Sequence, residues 1–171
     1  ILLIQLRRLG DLILTTPAIL AVREHFPGAQ NAIAVSRECE SLLPAIQGLQ
    51  HTFLTKRGFR DLSTWMQIRR SGFDCVIDFT HNDRSAWLTV LSAAPRRIVS
   101  HRLKTKSKFR ALFYNEFVDC AMKQMHTVDY GLALLRPLGI SAAADDPVIP
   151  LVNAKLLAHR TWCPPFGGGT H

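Results

Sequence analysis

The first stretch of the chain constrains the fold most strongly, because a run of apolar and neutral residues at 1–6 leads directly into a charged turn at 7–11. Such a run is typical of a strand that is buried on both faces of a parallel sheet. The apolar residues that follow recur at helical spacing, which predicts a helix after the turn. In parallel α/β sheets, ligands bind outside the carboxyl ends of the strands, where this turn would lie. The first candidate site residues are therefore Arg7, Arg8, Gly10 and Asp11.

The residues alone leave two roles open for Asp11. It can cap the following helix, because a carboxylate accepts hydrogen bonds from the free amides of a helix N terminus, or it can act on a ligand. Arg7 and Arg8 are similarly either solvated loop charges or ligand contacts. The turn has one glycine where a G-x-G-x-x-G dinucleotide loop has three, so a pyrophosphate cradle of that type is not predicted.

Strand and helix patterns alternate along the rest of the chain, which predicts a parallel sheet with right-handed crossovers. The fold class is α/β, a Rossmann-like three-layer sandwich with a mainly parallel sheet. We expect one domain over residues 1–151 and an irregular tail over 152–171. At Pro17 the first helix either kinks or gives way to a new helix capped by Thr16. The predicted strands cover residues 1–6, 32–35, 51–54, 73–79, 97–100 and 115–118, and the predicted helices cover 12–26, 39–46, 59–70, 85–94 and 126–138.

A second polar loop follows the fourth predicted strand, at residues 80–85. If the strand order is the common 3-2-1-4-5, the first and fourth strands are neighbours, and the two loops form a crevice where the winding direction reverses. This arrangement makes His81, Asn82 and Arg84 candidates for ligand contact. The alternative is that they are ordinary turn residues, with Asn82 or Asp83 capping the next helix.

The formal net charge of +8 is unevenly distributed, since the segment between Asp83 and Glu116 contains no acidic residue. A block of one sign indicates an anionic partner, and nucleic acid, a phosphorylated glycolipid and an anionic membrane surface all fit it. The alternating cations at 102–110 would share one face in an extended conformation, or they would belong to a solvated loop. The aromatic residues that follow suit a membrane or glycolipid contact. The cations of the block are Arg84, Arg96, Arg97, Arg102, Lys104, Lys106, Lys108 and Arg110.

The four cysteines are far apart and accompany no histidine cluster, so neither a zinc site nor a redox pair is predicted. Reduced thiols and a cytoplasmic location are the simplest interpretation. No segment has the roughly 18 consecutive apolar residues of a membrane span, and the start of the chain lacks the pattern of a signal peptide.

Four stretches, in order, resemble one family, the ADP-heptose:lipopolysaccharide heptosyltransferases of glycosyltransferase family 9, which have the GT-B fold. The resemblance covers residues 1–151 and the N-terminal half of the family's architecture. The stretches are I-L-x-I-x-L-R-R-L-G-D-L-I-L-T-T-P-A-I at the start, D-C-V-I-D-F-T-H-N-D-R-S-A-W-L from residue 74, A-A-P-R-R-I at 93–98 and H-T-V-D-Y-x-L-A-L-L-R-P-L-G-I at 126–140.

The resemblance implies an inverting glycosyltransferase with two facing Rossmann-like domains and no metal or other cofactor. The N-terminal domain would bind the lipopolysaccharide acceptor, and the C-terminal domain would bind the donor, ADP-heptose. Asp11 corresponds to the family's base, which removes the proton of the acceptor hydroxyl during attack. The acceptor-binding residues that we expect are Arg7, Arg8, Gly10, Arg57, Arg60, His81, Asn82, Arg84, Lys104, Lys106 and Lys108.

No counterpart of the family's donor domain is recognisable after residue 151, so we expect this chain to be the acceptor-binding half and to be inactive alone. The implied partners are a lipopolysaccharide core or lipid A precursor, an ADP-sugar and the inner membrane, with the chain at its cytoplasmic face. The alternative is a non-catalytic Rossmann-like module that binds anionic ligands through the basic block. Nucleic acid is the less expected of these ligands, because no recognition module is visible.

Overall fold

Six parallel strands form one sheet in the order β3-β2-β1-β4-β5-β6 in the computed structural model, which describes residues 1–56, 61–120 and 125–140. This order contains the predicted 3-2-1-4-5 arrangement and confirms the α/β fold class. β1 is therefore a central strand, paired with β2 on one side and β4 on the other. The strands are β1 (Leu2–Gln5), β2 (Ala32–Ser36), β3 (His51–Thr55), β4 (Cys75–Asp78), β5 (Arg96–Ser100) and β6 (Glu116–Val118).

Helices cover both faces of the sheet, which gives the three layers of the sandwich. Successive residues of β1 point to opposite faces, so that Leu3 packs in a core with α1 and α6, while Leu2 packs in a core with α2 and α3. The helices are α1 (Leu9–His25), α2 (Leu62–Arg70), α3 (Asp83–Leu91), α4 (Arg102–Lys106), α5 (Lys108–Ala111) and α6 (Thr127–Ala133), with 3-10 helices at Arg37–Ala45 and Arg136–Leu138.

α1 runs without a break through Pro17, so the alternative of a new helix capped by Thr16 is wrong. Proline has no N–H and leaves the carbonyl four residues earlier, that of Ile13, without its usual donor. The Thr16 hydroxyl donates to the Ile13 oxygen at 2.7 Å and supplies the missing hydrogen bond. The helix also begins earlier than predicted, at Leu9 instead of Leu12.

The segment 102–110 is neither extended nor an irregular loop, so both alternatives offered for its cations are wrong. It forms two short helices, α4 and α5, separated by Ser107. The Ser107 hydroxyl caps α5 by accepting the Arg110 amide at 3.4 Å, and the buried side chain of Leu103 anchors α4 to the core. In a helix each residue turns by about 100°, so alternate positions do not face the same way.

Other helices of the structure begin or end at residues different from those predicted. The predicted helix at 39–46 is a 3-10 helix at Arg37–Ala45, and the helix predicted from residue 126 stops at Ala133 before a 3-10 turn. Gly139 ends that turn with φ +80°, as expected for the glycine placed there. The predicted tail at 152–171 and the beginning of the predicted helix at 59–70 lie outside the described residues.

Cys39, Cys75 and Cys120 are buried free thiols, and Cys163 lies outside the described residues. Burial raises the pKa of Cys75 to about 11, so this thiol stays protonated at neutral pH. Within the described part of the chain, no helix is long and apolar enough to cross a membrane.

Candidate functional site

The charged turn after β1 and the loop after β4 meet at the carboxyl edge of the sheet, as the strand order predicted. The Leu6 amide donates to the Thr80 hydroxyl at 2.7 Å, and the Arg7 guanidinium donates to the Thr80 carbonyl at 3.2 Å. Between the two loops lies an open cleft of about 660 Å³. The residues that line this cleft are Leu6, Arg7, Arg8, Asp11, Ser36, Glu38, Asn82 and Arg84.

Asp11 is the third residue of α1 and is not its cap, because Arg8 occupies the N-cap position. The Thr15 hydroxyl donates to the backbone carbonyl of Asp11 at 2.7 Å. The side-chain amide of Gln5 donates in turn to the Thr15 hydroxyl at 2.8 Å. These contacts hold the backbone of Asp11 but leave its side chain free. Among the described residues no hydrogen bond or ion pair engages the Asp11 carboxylate, which can therefore accept a proton from a molecule in the cleft.

Arg84 lies on the opposite wall of the cleft, in the first turn of α3. Its guanidinium donates to the Ser36 hydroxyl at 2.9 Å and to the Lys56 carbonyl at 3.2 Å, which ties α3 to the ends of β2 and β3. The Ser36 hydroxyl in turn donates to the Leu6 carbonyl at 2.8 Å. A half-buried cation held in this way is well placed to bind an anionic group.

Asn82 caps α3, which confirms that interpretation of its role. Its side-chain oxygen accepts the Ser85 amide at 2.8 Å, and the Ser85 hydroxyl accepts the Asn82 amide at 3.0 Å. Asp83, the other predicted cap, lies in the first turn and forms an ion pair with Arg110 at 3.3 Å. Asn82 still lines the cleft, so capping and ligand contact are compatible.

Sequence reasoning missed Asp78, a fully buried carboxylate at the end of β4. One of its oxygens accepts the backbone amides of Thr80 and His81, and the other accepts the Ser85 hydroxyl at 2.6 Å and the Tyr114 hydroxyl at 2.5 Å. Burial, together with the negative charge of Asp78, raises the pKa of Tyr114, which therefore remains a donor. Asp78 therefore organises the loop that forms one wall of the cleft. The sequence signal that could have identified it is a carboxylate at the end of an otherwise apolar strand.

His81 does not line the cleft but connects the loop after β4 to α6. Its backbone adopts the left-handed region, with φ +60°, and its Nε2 lies 2.7 Å from the Tyr130 hydroxyl of α6. The Arg110 guanidinium donates to its carbonyl at 2.9 Å. Burial lowers the pKa of His81, and the nearby cations Arg7, Lys106 and Arg102 lower it further against the opposing effect of Asp78.

Lys104, Lys106, Lys108 and Gly10, also predicted as site residues, do not line the cleft. Lys104, Lys106 and Lys108 are exposed on α4 and α5, with the Lys104 ammonium 4.0 Å from the centre of the Phe117 ring. Gly10 is exposed in the first turn of α1, where an added Cβ would meet no atom within 4 Å. Arg57 and Arg60 lie outside the described residues.

Solved structures with the same architecture are glycosyltransferases. The E. coli heptosyltransferase WaaC with ADP is 20% identical over 92% of this chain and 52% of its own, with a TM-score of 0.75. E. coli ADP-heptose lps heptosyltransferase II is 17% identical over 88% of this chain and 44% of its own, with a TM-score of 0.68. A glycosyl transferase family 9 protein from Veillonella parvula is 19% identical over 82% of this chain and 41% of its own, with a TM-score of 0.67.

No protein-family profile matches the sequence, and no curated protein gives a significant match. The chain spans about half the length of the solved structures that it resembles. These structures belong to the family that the four sequence stretches resemble. The chain therefore has the Rossmann-like fold of the glycosyltransferase family 9 structures.

Proposed function

We propose that this chain is the acceptor-binding half of a glycosyltransferase that transfers heptose from ADP-heptose to the inner core of lipopolysaccharide. The observation that carries the proposal is the cleft lined by Asp11, whose carboxylate has no partner among the described residues, together with the cations Arg7, Arg8 and Arg84. This combination suits an acceptor that bears both a reacting hydroxyl and anionic groups. The similar E. coli heptosyltransferase WaaC has ADP in its structure, which supports an ADP-sugar as donor.

The proposed reaction is a direct displacement at the anomeric carbon of the heptose. The acceptor hydroxyl attacks this carbon, its proton passes to the Asp11 carboxylate, and the bond between the carbon and the diphosphate breaks, so that ADP leaves. A new glycosidic bond forms with inversion, because attack and departure occur on opposite faces. The donor half of the enzyme would hold the ADP, and this chain would supply the base and the acceptor site.

The arginines of the cleft would recognise the carboxylate and phosphate groups of the acceptor. A guanidinium binds such groups through two parallel hydrogen bonds, whereas an ammonium binds them as a point charge. Arg84 is fixed by Ser36 and by the Lys56 carbonyl, so little side-chain freedom is lost when an anion binds. Arg8 is exposed at the rim of the cleft and can follow the ligand.

The proposal is tested by calorimetry with a water-soluble core oligosaccharide, freed of its acyl chains, and with the same oligosaccharide after removal of its phosphates. We expect the phosphorylated form to bind more tightly and its affinity to fall as salt is added, because salt screens the charges. Equal and salt-insensitive binding of the two forms would contradict the proposal. Tighter binding of single-stranded RNA than of the oligosaccharide would favour the non-catalytic alternative instead.

A further inference from the structure

Two buried polar side chains, Gln5 of β1 and Thr15 of α1, join the first strand to the first helix. Each is only 4% exposed. Gln5 lies on the same face of β1 as Leu3, and Leu3 packs in the apolar core with α1 and α6. The Gln5 side-chain oxygen has no hydrogen-bond partner among the described residues, and a buried acceptor without a partner costs free energy. An apolar side chain would avoid that cost, so the stability of the fold does not account for a glutamine at this position.

The pair connects β1 to the backbone of Asp11. The Gln5 side-chain amide donates to the Thr15 hydroxyl at 2.8 Å, and that hydroxyl donates to the Asp11 carbonyl at 2.7 Å. The Gln5 amide also lies 3.5 Å from the same carbonyl. Because β1 is paired with a strand on each side, these contacts tie the backbone of Asp11 to the interior of the sheet.

The first turn of α1 has no cap from its own N-cap residue. A serine, threonine, aspartate or asparagine at that position would accept a hydrogen bond from one of the free amides of the first turn. Arg8 occupies the position and forms no such bond, because a guanidinium has no acceptor atom. The tie from Gln5 and Thr15 therefore holds a turn that lacks the usual side-chain cap.

We infer that Gln5 and Thr15 are positioning residues for the Asp11 carboxylate. Neither lines the cleft, so both act through the backbone of Asp11. A base must lie within hydrogen-bond reach of the proton that it removes, and a displacement of about 1 Å can cost about 100-fold in rate. The kinetic consequence rests on the proposed function, whereas the tie between β1 and the first turn of α1 does not.

The kinetic test is steady-state heptose transfer by the protein expressed from its complete reading frame. The double variant Gln5→Met/Thr15→Val replaces both partners with apolar side chains of similar size. It should lower kcat about tenfold or more, while KM for the acceptor changes little and the midpoint of urea unfolding does not fall. Thr15→Ser keeps the hydroxyl and should retain most of the turnover of the parent.

Thr16→Val is the matched control on the same helix. Thr16 is also buried, and its hydroxyl also donates to a backbone carbonyl, that of Ile13, at 2.7 Å. The substitution leaves that carbonyl without a donor, so it should lower the urea midpoint without a comparable fall in kcat. If Gln5 and Thr15 had a merely structural role, turnover would follow stability, and Thr16→Val would lose more of it than the double variant. That order would overturn the inference.

The Asp11→Asn background tests whether the pair acts through Asp11. Effects of residues that act as a unit are not additive, so Gln5→Met/Thr15→Val should cause little further loss of kcat once the carboxylate is gone. A further fall of about tenfold in that background, equal to the fall in the parent, would overturn the inference.

Hydrogen exchange tests the tie without any transfer reaction. The Leu12 amide donates to the Arg8 carbonyl at 3.2 Å and closes the first turn of α1. Its exchange, followed by NMR, should be about fivefold or more faster in Gln5→Met/Thr15→Val and should stay close to that of the parent in Thr16→Val. Unchanged exchange in the double variant would overturn the inference. Absence of heptose transfer by the parent protein would contradict the proposed function instead and would leave the exchange result decisive.

Discussion

The Tyr114 hydroxyl donates a hydrogen bond of 2.5 Å to the Asp78 carboxylate in the interior of the protein. Asp78 is completely buried and Tyr114 is 4% exposed. The bond connects the end of β4 with the segment that precedes β6. The same carboxylate accepts the amides of Thr80 and His81, in the loop that leads to Asn82 and α3. The wall of the cleft therefore depends on a side-chain contact between residues 36 positions apart in the sequence.

Tyr114→Phe should lower the free energy of unfolding by about 1.5–3 kcal/mol, the usual range for a hydrogen bond to a charged group. Tyr130→Phe removes a buried hydroxyl of the same type, but its partner is the imidazole of His81, so the expected loss is about 1 kcal/mol. Urea unfolding of the two variants measures both values. A larger loss for Tyr130→Phe than for Tyr114→Phe would show that Asp78 is not the stronger partner.

Asp11→Asn should reduce heptose transfer by about 10²- to 10⁴-fold, the usual contribution of a general base. The amide keeps the shape of the carboxylate but cannot take the proton, so KM for the acceptor should change little while kcat falls. The measurement is steady-state transfer by the protein expressed from its complete reading frame. Glu38 also lines the cleft, and Glu38→Gln is the comparison. Normal turnover of Asp11→Asn with loss of turnover in Glu38→Gln would show that the base is Glu38.

Arg84→Ala should weaken binding of the phosphorylated core oligosaccharide about tenfold or more, because a charge-assisted hydrogen bond is lost. The affinity of Arg84→Lys should lie between those of the parent and of Arg84→Ala, since lysine keeps the charge but not the paired donors. Arg69→Ala, at an exposed position of α2, is the control for the loss of one positive charge. Calorimetry with the oligosaccharide and with its dephosphorylated form separates the contribution of the phosphates. A similar loss for Arg69→Ala would mean that only the net charge matters.

The stability of the protein should fall as the pH drops through about 6.5, the ordinary pKa of a histidine. The pKa of His81 is lower in the folded protein than in the unfolded chain, chiefly through burial. Between these two pKa values the unfolded chain binds more protons, so the free energy of unfolding rises with pH across that window and its full value is reached above it.

His81→Asn should reduce this slope, and asparagine tolerates the left-handed backbone found at this position. His51→Asn removes a histidine from an exposed position in β3 and should leave the slope close to that of the parent. Urea unfolding between about pH 7.5 and 5.5 compares the three proteins across the titration range of histidine. An unchanged slope in His81→Asn would contradict the assignment of this pH dependence to His81.

Local patterns predicted the sheet and the position of the cleft. The apolar run at 1–6 and the strand ending at Asp78 could be recognised because strands buried on both faces must be apolar. The carboxyl ends of neighbouring parallel strands meet at one edge, so the two polar loops that follow were expected to lie together. The contacts of Leu6 and Arg7 with Thr80 place them there.

Both alternatives for the basic segment, an extended stretch and a loop, failed because they considered the spacing of its cations without its apolar residues. Burial of Leu103 and the cap formed by Ser107 stabilise two short helices, and neither contact follows from charge spacing. Lys104, Lys106 and Lys108 consequently lie exposed on α4 and α5, and none of them lines the cleft.

The sequence by itself determined the succession of strands along the chain, its charge and the two polar segments that hold Asp11 and Arg84. These properties depend on the period of apolar residues and on residue type, which act over a few neighbouring positions. Only the tertiary structure decided that Arg8 takes the cap position and leaves the Asp11 side chain in the cleft, and that Asp78 supports the opposite wall. The turn before α1 is held by the contacts of Leu6 and Arg7 with Thr80, and Asp78 is held by Tyr114. Partners so distant in the chain are selected by the fold and not by their place in the sequence.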